Sequence, residues 1–126
     1  MENAKNMNFN EKFREQSKQL ALEVIMLYSQ LKGREELRIL GKQLIRCGTS
    51  VAANFRAAVR ARSSAEYYSK MCIVVEECDE TLFWLELIDS TGFFKSPKIQ
   101  ELIKKTAGLL AVFAKTRKAV KEKYLS

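Results

Sequence analysis

The sequence predicts an all-α protein, an antiparallel four-helix bundle with up-down-up-down connections. Among its 126 residues are five glycines and one proline, too few for the frequent turns of an all-β domain. Four segments repeat apolar residues three and four positions apart, which is the spacing of one helix face. The connections between these segments are short, as in a bundle of antiparallel neighbours. A chain of this length fits a single domain with its own core.

The first helix is expected at about residues 9–31. Asn8 and Glu11 have the spacing of a capping box, so the residues before them are expected to be frayed. Gly33 follows the last apolar residue and is free to take the left-handed conformation that ends many helices. The apolar stripe of this helix comprises Phe13, Leu20, Val24, Leu27, Tyr28 and Leu31.

The other boundaries also follow from capping residues. Ser63 and Glu66 form a second capping box, Gly92 is a natural stop, and Ser96 followed by Pro97 is a strong helix start. We therefore predict one domain, residues 1–126, with further helices at about 35–62, 64–91 and 97–123. The predicted apolar stripe of the second helix comprises Leu37, Leu40, Leu44, Val51, Phe55 and Val59. That of the third helix comprises Met71, Val74, Val75, Cys78, Leu82 and Leu85, and that of the fourth comprises Ile99, Leu102, Ile103, Thr106, Leu109, Leu110 and Phe113.

Gly48 interrupts the stripe of the second helix. An internal glycine either weakens a helix by about 1 kcal/mol relative to Ala or permits the close approach of another chain segment. The pattern alone leaves both interpretations open.

The residue inventory indicates no catalytic, cofactor or metal site. The chain has no histidine, which excludes imidazole zinc ligands and histidine-activated nucleophiles. Glu76, Glu77 and Glu80 come from one helix, whereas carboxylate metal sites in bundles draw ligands from several helices. Cys47, Cys72 and Cys78 form no CxxC pair and are expected to be reduced and buried in a cytoplasmic protein. The polar start and the short longest apolar run, residues 107–114, predict neither a signal peptide nor a membrane span.

The net charge of +7 is unevenly distributed along the chain. Residues 34–62 carry seven Lys/Arg and two Asp/Glu, and residues 95–126 carry nine and two. Residues 63–94 carry one Lys/Arg and seven Asp/Glu. The second and fourth helices are therefore basic and the third is acidic, a balance that favours polyanionic partners.

Five cations of the second helix form a predicted ridge. At 100° per residue they fall within about 80° of one another, opposite the core stripe. Such a ridge can follow a nucleic-acid backbone without reading bases. The alternatives are a solvated face or a face that pairs with the acidic third helix. The ridge comprises Arg38, Lys42, Arg46, Arg56 and Arg60.

The third helix carries large apolar residues on its acidic side, where a monomeric bundle should be polar. We expect a second buried surface there, most simply between subunits, with Trp84 as an anchor. Small residues on one edge of the second helix permit a close contact. Complementary faces of opposite charge predict a homo-oligomer that closes into a ring. The predicted interface comprises Ile73, Glu77, Glu80, Trp84, Leu87, Ala53 and Ala57.

Two stretches together resemble a known bacterial family. They read QLIRCGTSVAANFRAA and RSSAEYYSKMCIVVEECDETLFWLELI, and the likeness extends over roughly residues 13–120. The chain resembles the four helix bundle protein family, also called the 23S rRNA intervening-sequence protein family. The resemblance implies a left-handed antiparallel bundle assembled into a ring, typically a homopentamer. It also implies kinship with accessory proteins of diversity-generating retroelements, which are thought to bind nucleic acid and a reverse transcriptase.

The chain departs from that family at one point. In many members the Asn that corresponds to Asn54 is followed by an x-x-Glu-Gly-x-Gly-like run, whereas in this chain Asn54 is followed by helix formers and arginines. The departure predicts a longer and more basic second helix. Asn54 itself is expected to be a buried hydrogen-bonding residue that fixes helix register.

Two functions remain open at this point. The first is a non-enzymatic, ring-forming cytoplasmic protein that binds RNA or DNA electrostatically through its basic helices. The second is a protein-interaction scaffold whose charged faces serve self-assembly and a protein partner. The family carries no enzymatic activity and its physiological role is undefined, so the resemblance favours neither function strongly.

Overall fold

The structure, a computed structural model, describes the backbone of residues 2–125 and the side chains of residues 9–125. Four long helices follow one another: α1 (Glu2–Leu31), α2 (Glu35–Val59), α3 (Ser64–Thr91) and α4 (Pro97–Val120). A single π-helical turn, Lys121–Leu125, extends α4. Each helix packs against the next in reversed direction, and the prediction of an all-α four-helix bundle is confirmed. Within residues 2–125, no helix has the length and apolar character that a membrane span requires.

Three helix boundaries differ from those expected from the sequence. α1 begins at Glu2, so the predicted start near residue 9 is wrong. Residues 2–8 contain neither Gly nor Pro, so the helix continues through Asn8, whose side chain lies outside the described residues. α2 ends at Val59, because the amides of Arg60 and Ala61 bond to carbonyls three residues back and tighten the last turn. The predicted end of α4 at residue 123 falls inside the π-helical turn.

The start of α3 is capped by side chains on both sides of the boundary. Ser63 Oγ accepts a hydrogen bond from the Glu66 amide at 3.0 Å. Glu66 Oε1 in turn accepts from the amide of Arg62 at 3.2 Å, one residue before the position that a capping box normally uses. The chain therefore turns sharply here, and α2 and α3 lie side by side.

The two ends of the α3–α4 connection also match the prediction. Gly92 has a φ of 73° and ends α3 in the left-handed conformation. Ser96 Oγ accepts from the Lys98 amide at 3.1 Å, with Pro97 in the first turn of α4. Gly33, by contrast, does not have a positive φ, so the left-handed conformation predicted after α1 is wrong.

One buried stripe from each helix forms the core, and three aromatic rings lie at one level of it. The ring centroids of Phe55 and Phe113 are 5.2 Å apart, and Phe13 lies 6.0 Å from Phe113. On α3, Thr81 and Ile88 are buried in addition to the predicted residues. Six residues predicted for the stripes lie at their edges and are half-buried: Tyr28, Leu40, Val59, Leu82, Ile103 and Leu110.

Two glycines let α1 and α2 approach closely. A Cβ atom on Gly41 would lie 2.6 Å from Cδ1 of Tyr28, and one on Gly48 would lie 3.2 Å from the methyl carbons of Val24. Gly48 therefore permits a close approach, the second of the two interpretations that its position allowed. The same contacts set the register of the pair, with Val24 at the level of Gly48.

Glu23 joins α1 to α4. Its carboxylate accepts hydrogen bonds from Lys98 Nζ at 2.5 Å and Lys105 Nζ at 2.6 Å, and its side chain is 16% exposed. Burial alone would raise the pKa of Glu23, but the hydrogen bonds and charges of Lys105 and Lys98 outweigh it and hold that pKa below its usual value. The carboxylate is therefore ionised in the folded protein at neutral pH.

Glu23→Gln is expected to lower the free energy of unfolding at neutral pH by about 1–2 kcal/mol, because two partly buried ammonium groups lose their partner. The folded-state pKa of Glu23 is lowered, so this stabilisation is fully present above its ordinary pKa and is lost as the pH falls through the folded-state value. Urea unfolding of both forms at neutral and acidic pH measures the difference. Glu101 is an exposed carboxylate that lines a surface groove together with Glu23, Lys98 and Lys105, so Glu101→Gln is the control and should change little.

Candidate nucleic-acid interface

The alternating helix directions bring the most basic segments of the chain to one end of the bundle. The starts of α1 and α3 lie beside the ends of α2 and α4. Two contacts show how neighbouring helices are aligned along the bundle axis. Val24 of α1 faces Gly48 of α2, and the Cys78 thiol of α3 donates to the carbonyl of Thr106 of α4 at 3.7 Å. We call the half of the bundle formed by residues 9–18, 52–74 and 110–125 the basic end.

The positive net charge of the chain lies entirely in the basic end. Its three segments contain 12 Lys/Arg and four Asp/Glu, for a net charge of +8. The other half, residues 19–51 and 75–109, contains nine Lys/Arg and ten Asp/Glu, for a net charge of −1. The bundle therefore presents a strongly positive end to any polyanion and a nearly neutral opposite end.

A groove between α1 and α2 in the basic end concentrates four cations. Arg14 and Lys18 come from α1, Arg56 and Arg60 come from α2, and the groove has a volume of about 540 Å³. In each pair the side chains are four residues apart and share one helix face. Among the described side chains, no carboxylate lies within 4 Å of these four cations. We call this groove, which is also lined by Glu15, Thr49, Ala52 and Ala53, the cation cleft.

The predicted ridge of five cations is divided in the structure. Arg56 and Arg60 line the cation cleft, whereas Arg46 forms ion pairs with Glu80 and, at 3.5 Å, with Glu77 of α3. For Arg46 the predicted alternative, pairing with the acidic third helix, is therefore the observed arrangement.

The remaining two cations of the ridge also lie outside the cleft. Arg38 pairs with Glu35 of its own helix. Lys42 is exposed and does not line the cleft. These residues share a face of α2 with Arg56 and Arg60 but lie several turns away along the helix. A helical projection shows the angle of each residue around the axis and not its position along it.

Arg14 and Lys18 were not among the predicted site residues. Their spacing of four marked a shared helix face, but the sequence did not show which other helix that face would meet. The packing of Val24 against Gly48 decides this, because it sets the first half of α1 beside the last turns of α2. A search for cation pairs on neighbouring helices near one end of the predicted bundle would have found them.

The outer side of α2 and α3 carries a connected polar and aromatic cluster. Glu80 pairs with Arg46 and accepts a hydrogen bond from Trp84 Nε1 at 3.4 Å. The Trp84 ring contacts Phe83 edge-on, with centroids 5.0 Å apart, and Phe83 is 52% exposed. Of the predicted interface residues on α3, Ile73, Glu77, Glu80, Trp84 and Leu87 are all half-buried in the single chain.

The small residues of the predicted interface do not all lie on this side. Ala53 is exposed and lines the cation cleft, while Ala57 is half-buried. Asn54 is half-buried rather than buried, and its amide donates to the carbonyl of Ser50 at 2.9 Å within α2. Asn54 is therefore a hydrogen-bonding residue, as predicted, but it is not fully buried, and this bond stays inside α2.

The cysteines are all free thiols, and two of them lie in the core. Burial raises the pKa of Cys47 and raises that of Cys78 to about 12. Both therefore stay protonated and unreactive at neutral pH. Cys72 is half-buried, contrary to the expectation that all three are buried. Across the described part of the chain, no group of three or more Cys, Asp or Glu side chains is arranged to hold a metal ion.

A wider hollow of about 930 Å³ opens at the extreme of the basic end. Its walls are mainly apolar, and burial raises the pKa of Tyr67 on one of them. The described lining supplies hydroxyls, the amide of Asn10 and two cations, Arg62 and Lys115, without a carboxylate or a thiol. The apolar part of the lining comprises Phe9, Phe13, Tyr67, Val112, Val120 and Tyr124.

The fold and the cleft define a class: a small four-helix bundle with its positive charge at one end. Residues 10–115 match the 23S rRNA-intervening sequence protein family, and the chain belongs to that family. A crystal structure of a protein of unknown function from the S23 ribosomal protein family of Bacteroides thetaiotaomicron is similar, with a TM-score of 0.79 and 27% identity. The match covers 86% of this chain and 97% of that one. A comparison with curated proteins gave no match.

Proposed function

We propose that this protein is a non-enzymatic cytoplasmic protein that binds RNA or DNA through the cation cleft, as a subunit of a ring-forming homo-oligomer. The observation that carries the proposal is the cleft itself. Two cations from α1 face two from α2, and no described carboxylate neutralises them within 4 Å. All four cations are exposed, and a cluster of exposed cations without carboxylate partners creates a positive potential that attracts a phosphate backbone.

The chemistry of the cleft favours contacts with the backbone over contacts with bases. Its lining contains Arg, Lys, Glu, Thr and Ala, and among the described residues it has neither an amide side chain nor an aromatic ring. Amide side chains read adenine edges and aromatic rings stack on unpaired bases. Binding in the cleft is therefore expected to depend on charge and only weakly on sequence.

A salt titration tests the proposal. Four cations that each neutralise a phosphate give a slope of log K against log salt concentration of about −3.6 for duplex DNA and about −2.8 for single strands. Fluorescence anisotropy with labelled oligonucleotides of several sequences is expected to show that slope, with similar affinities for all of them. Affinity that does not change with salt, or that follows one sequence strongly, would contradict the proposal.

Ring assembly is supported by the aromatic residues left on the outer side of α3. Phe83 is a large apolar side chain that is 52% exposed, and its ring contacts that of the half-buried Trp84. Large exposed aromatic residues in a cluster are typical of surfaces that are buried against another protein. The resemblance to a ring-forming family favours a second copy of the chain, with a pentamer as the expected assembly.

A protein-interaction scaffold is the second candidate function, and an apolar patch on α1 favours it. Leu22, Ile25 and Met26 are 47%, 45% and 67% exposed and share the outward face of α1. The partner of such a scaffold would be another protein, and a reverse transcriptase is one candidate, because the related accessory proteins of diversity-generating retroelements are thought to bind one. Co-purification of a protein after nuclease treatment, with no nucleic acid bound at physiological salt, would favour the scaffold.

A further inference from the structure

A second cationic groove lies between α3 and α4. It has a volume of about 480 Å³ and is lined by Lys115, Arg117, Lys118 and Lys121 together with Tyr68. The sequence from residue 115 to 121 contains four cations and no carboxylate. This groove is distinct from the cation cleft, because no residue lines both.

The two grooves lie on opposite sides of the bundle. The helices follow one another around the bundle in chain order, so the side formed by α1 and α2 is opposite the side formed by α3 and α4. Both grooves belong to the basic end. A short oligonucleotide held in one groove therefore leaves the other groove accessible.

The second groove contains an aromatic ring, which the cation cleft lacks. Tyr68 is half-buried on α3 and lines the groove together with Arg117. The neighbouring Cys72 raises the pKa of Tyr68, whose ordinary value already lies well above neutral pH, so the hydroxyl is neutral and does not repel a phosphate. A row of cations beside an aromatic ring is the combination that holds unpaired bases in proteins that bind single strands.

We infer that the α3/α4 groove is a second nucleic-acid site that takes a single-stranded segment, with phosphates on the cations of α4 and a base against Tyr68. The inference rests on the proposed nucleic-acid function but not on the cation cleft. Each chain then binds two separate segments, one on each side of the bundle. A paired base does not expose its face to Tyr68, so duplex binds this groove more weakly than a single strand.

Calorimetry with a short single-stranded oligothymidylate, on the full chain, tests this site. The wild-type chain should bind two oligonucleotides, and the Arg56→Glu/Arg60→Glu variant should bind one. In that variant background, Lys118→Glu/Lys121→Glu should abolish the remaining binding. Tyr68→Ala should weaken it by about 5- to 100-fold, the range expected for loss of one stacked base. Tyr68→Phe keeps the ring and should bind like its parent, which separates stacking from a defect in folding.

The possible results distinguish failure of the α3/α4 site from failure of the proposed function. If the Arg56→Glu/Arg60→Glu variant binds nothing while the wild type binds, the α3/α4 groove is not a nucleic-acid site and the proposed function stands. If the binding that remains in this variant is unchanged by the substitutions at Lys118, Lys121 and Tyr68, the second site is refuted as well. A wild type that binds no oligonucleotide refutes both. Equal binding of polyglutamate in the groove would show a site for acidic protein instead.

Discussion

Replacing Arg56 and Arg60 together with Glu is expected to lower the affinity of the cation cleft for nucleic acid by at least about 100-fold at moderate salt. The change removes both cations that α2 contributes and places two carboxylates beside Arg14 and Lys18. Those carboxylates pair with the cations that remain, so the cleft loses its net attraction for phosphate. Measured with duplex DNA, which the α3/α4 groove binds weakly, the slope of log K against log salt concentration should become much shallower in the variant, since fewer counterions are released.

The matched control changes the same charge outside the basic end. Lys42→Glu/Lys104→Glu replaces two exposed cations of the other half of the bundle and alters the total charge equally. Its affinity should fall only modestly, because charges beyond about one Debye length, about 8 Å at physiological salt, act weakly. Both variants should keep the helical content and melting temperature of the wild type. Equal losses in the two variants would mean that total charge, and not the cleft, determines binding.

Phe83→Glu is expected to dissociate the proposed ring into smaller species. Phe83 is a large aromatic residue that is 52% exposed in the single chain and contacts Trp84. Burying a carboxylate without a partner at a subunit contact is costly, and the loss of an aromatic anchor weakens association further. Together these effects should weaken association by about 30- to 1,000-fold, the range for a strong interface residue.

Light scattering across a concentration series measures this change. The wild type should keep the mass of a ring at micromolar concentration, while the Phe83→Glu variant should dissociate on dilution. Leu22→Glu is the control, since it places the same charge at a similarly exposed apolar residue of α1. A wild-type monomer would exclude the ring, and dissociation by Leu22→Glu alone would move the subunit contact to the outward face of α1.

The local signals in the sequence were sufficient for the fold class and for most helix ends. Ser63, Gly92 and Ser96 mark boundaries through hydrogen bonds and a backbone conformation that involve only nearby residues, so their effect can be read locally. The predicted helix start at Asn8 was wrong. A capping residue begins a helix only where the preceding residues do not themselves continue it, and residues 2–8 contain neither Gly nor Pro to interrupt α1.

The sequence by itself determined that the chain forms four amphipathic helices, that α2 and α4 are basic, and that Arg56 and Arg60 share a face. The tertiary structure alone decided which cations act together. Gly48 against Val24 sets the register of α1 on α2 and brings Arg14 and Lys18 to Arg56 and Arg60. The same packing leaves Arg46 with the carboxylates of α3. The sequence gives the net charge of each segment. The attraction for a phosphate group depends instead on how close the cations of different helices lie to one another, and the packing of the helices sets those distances.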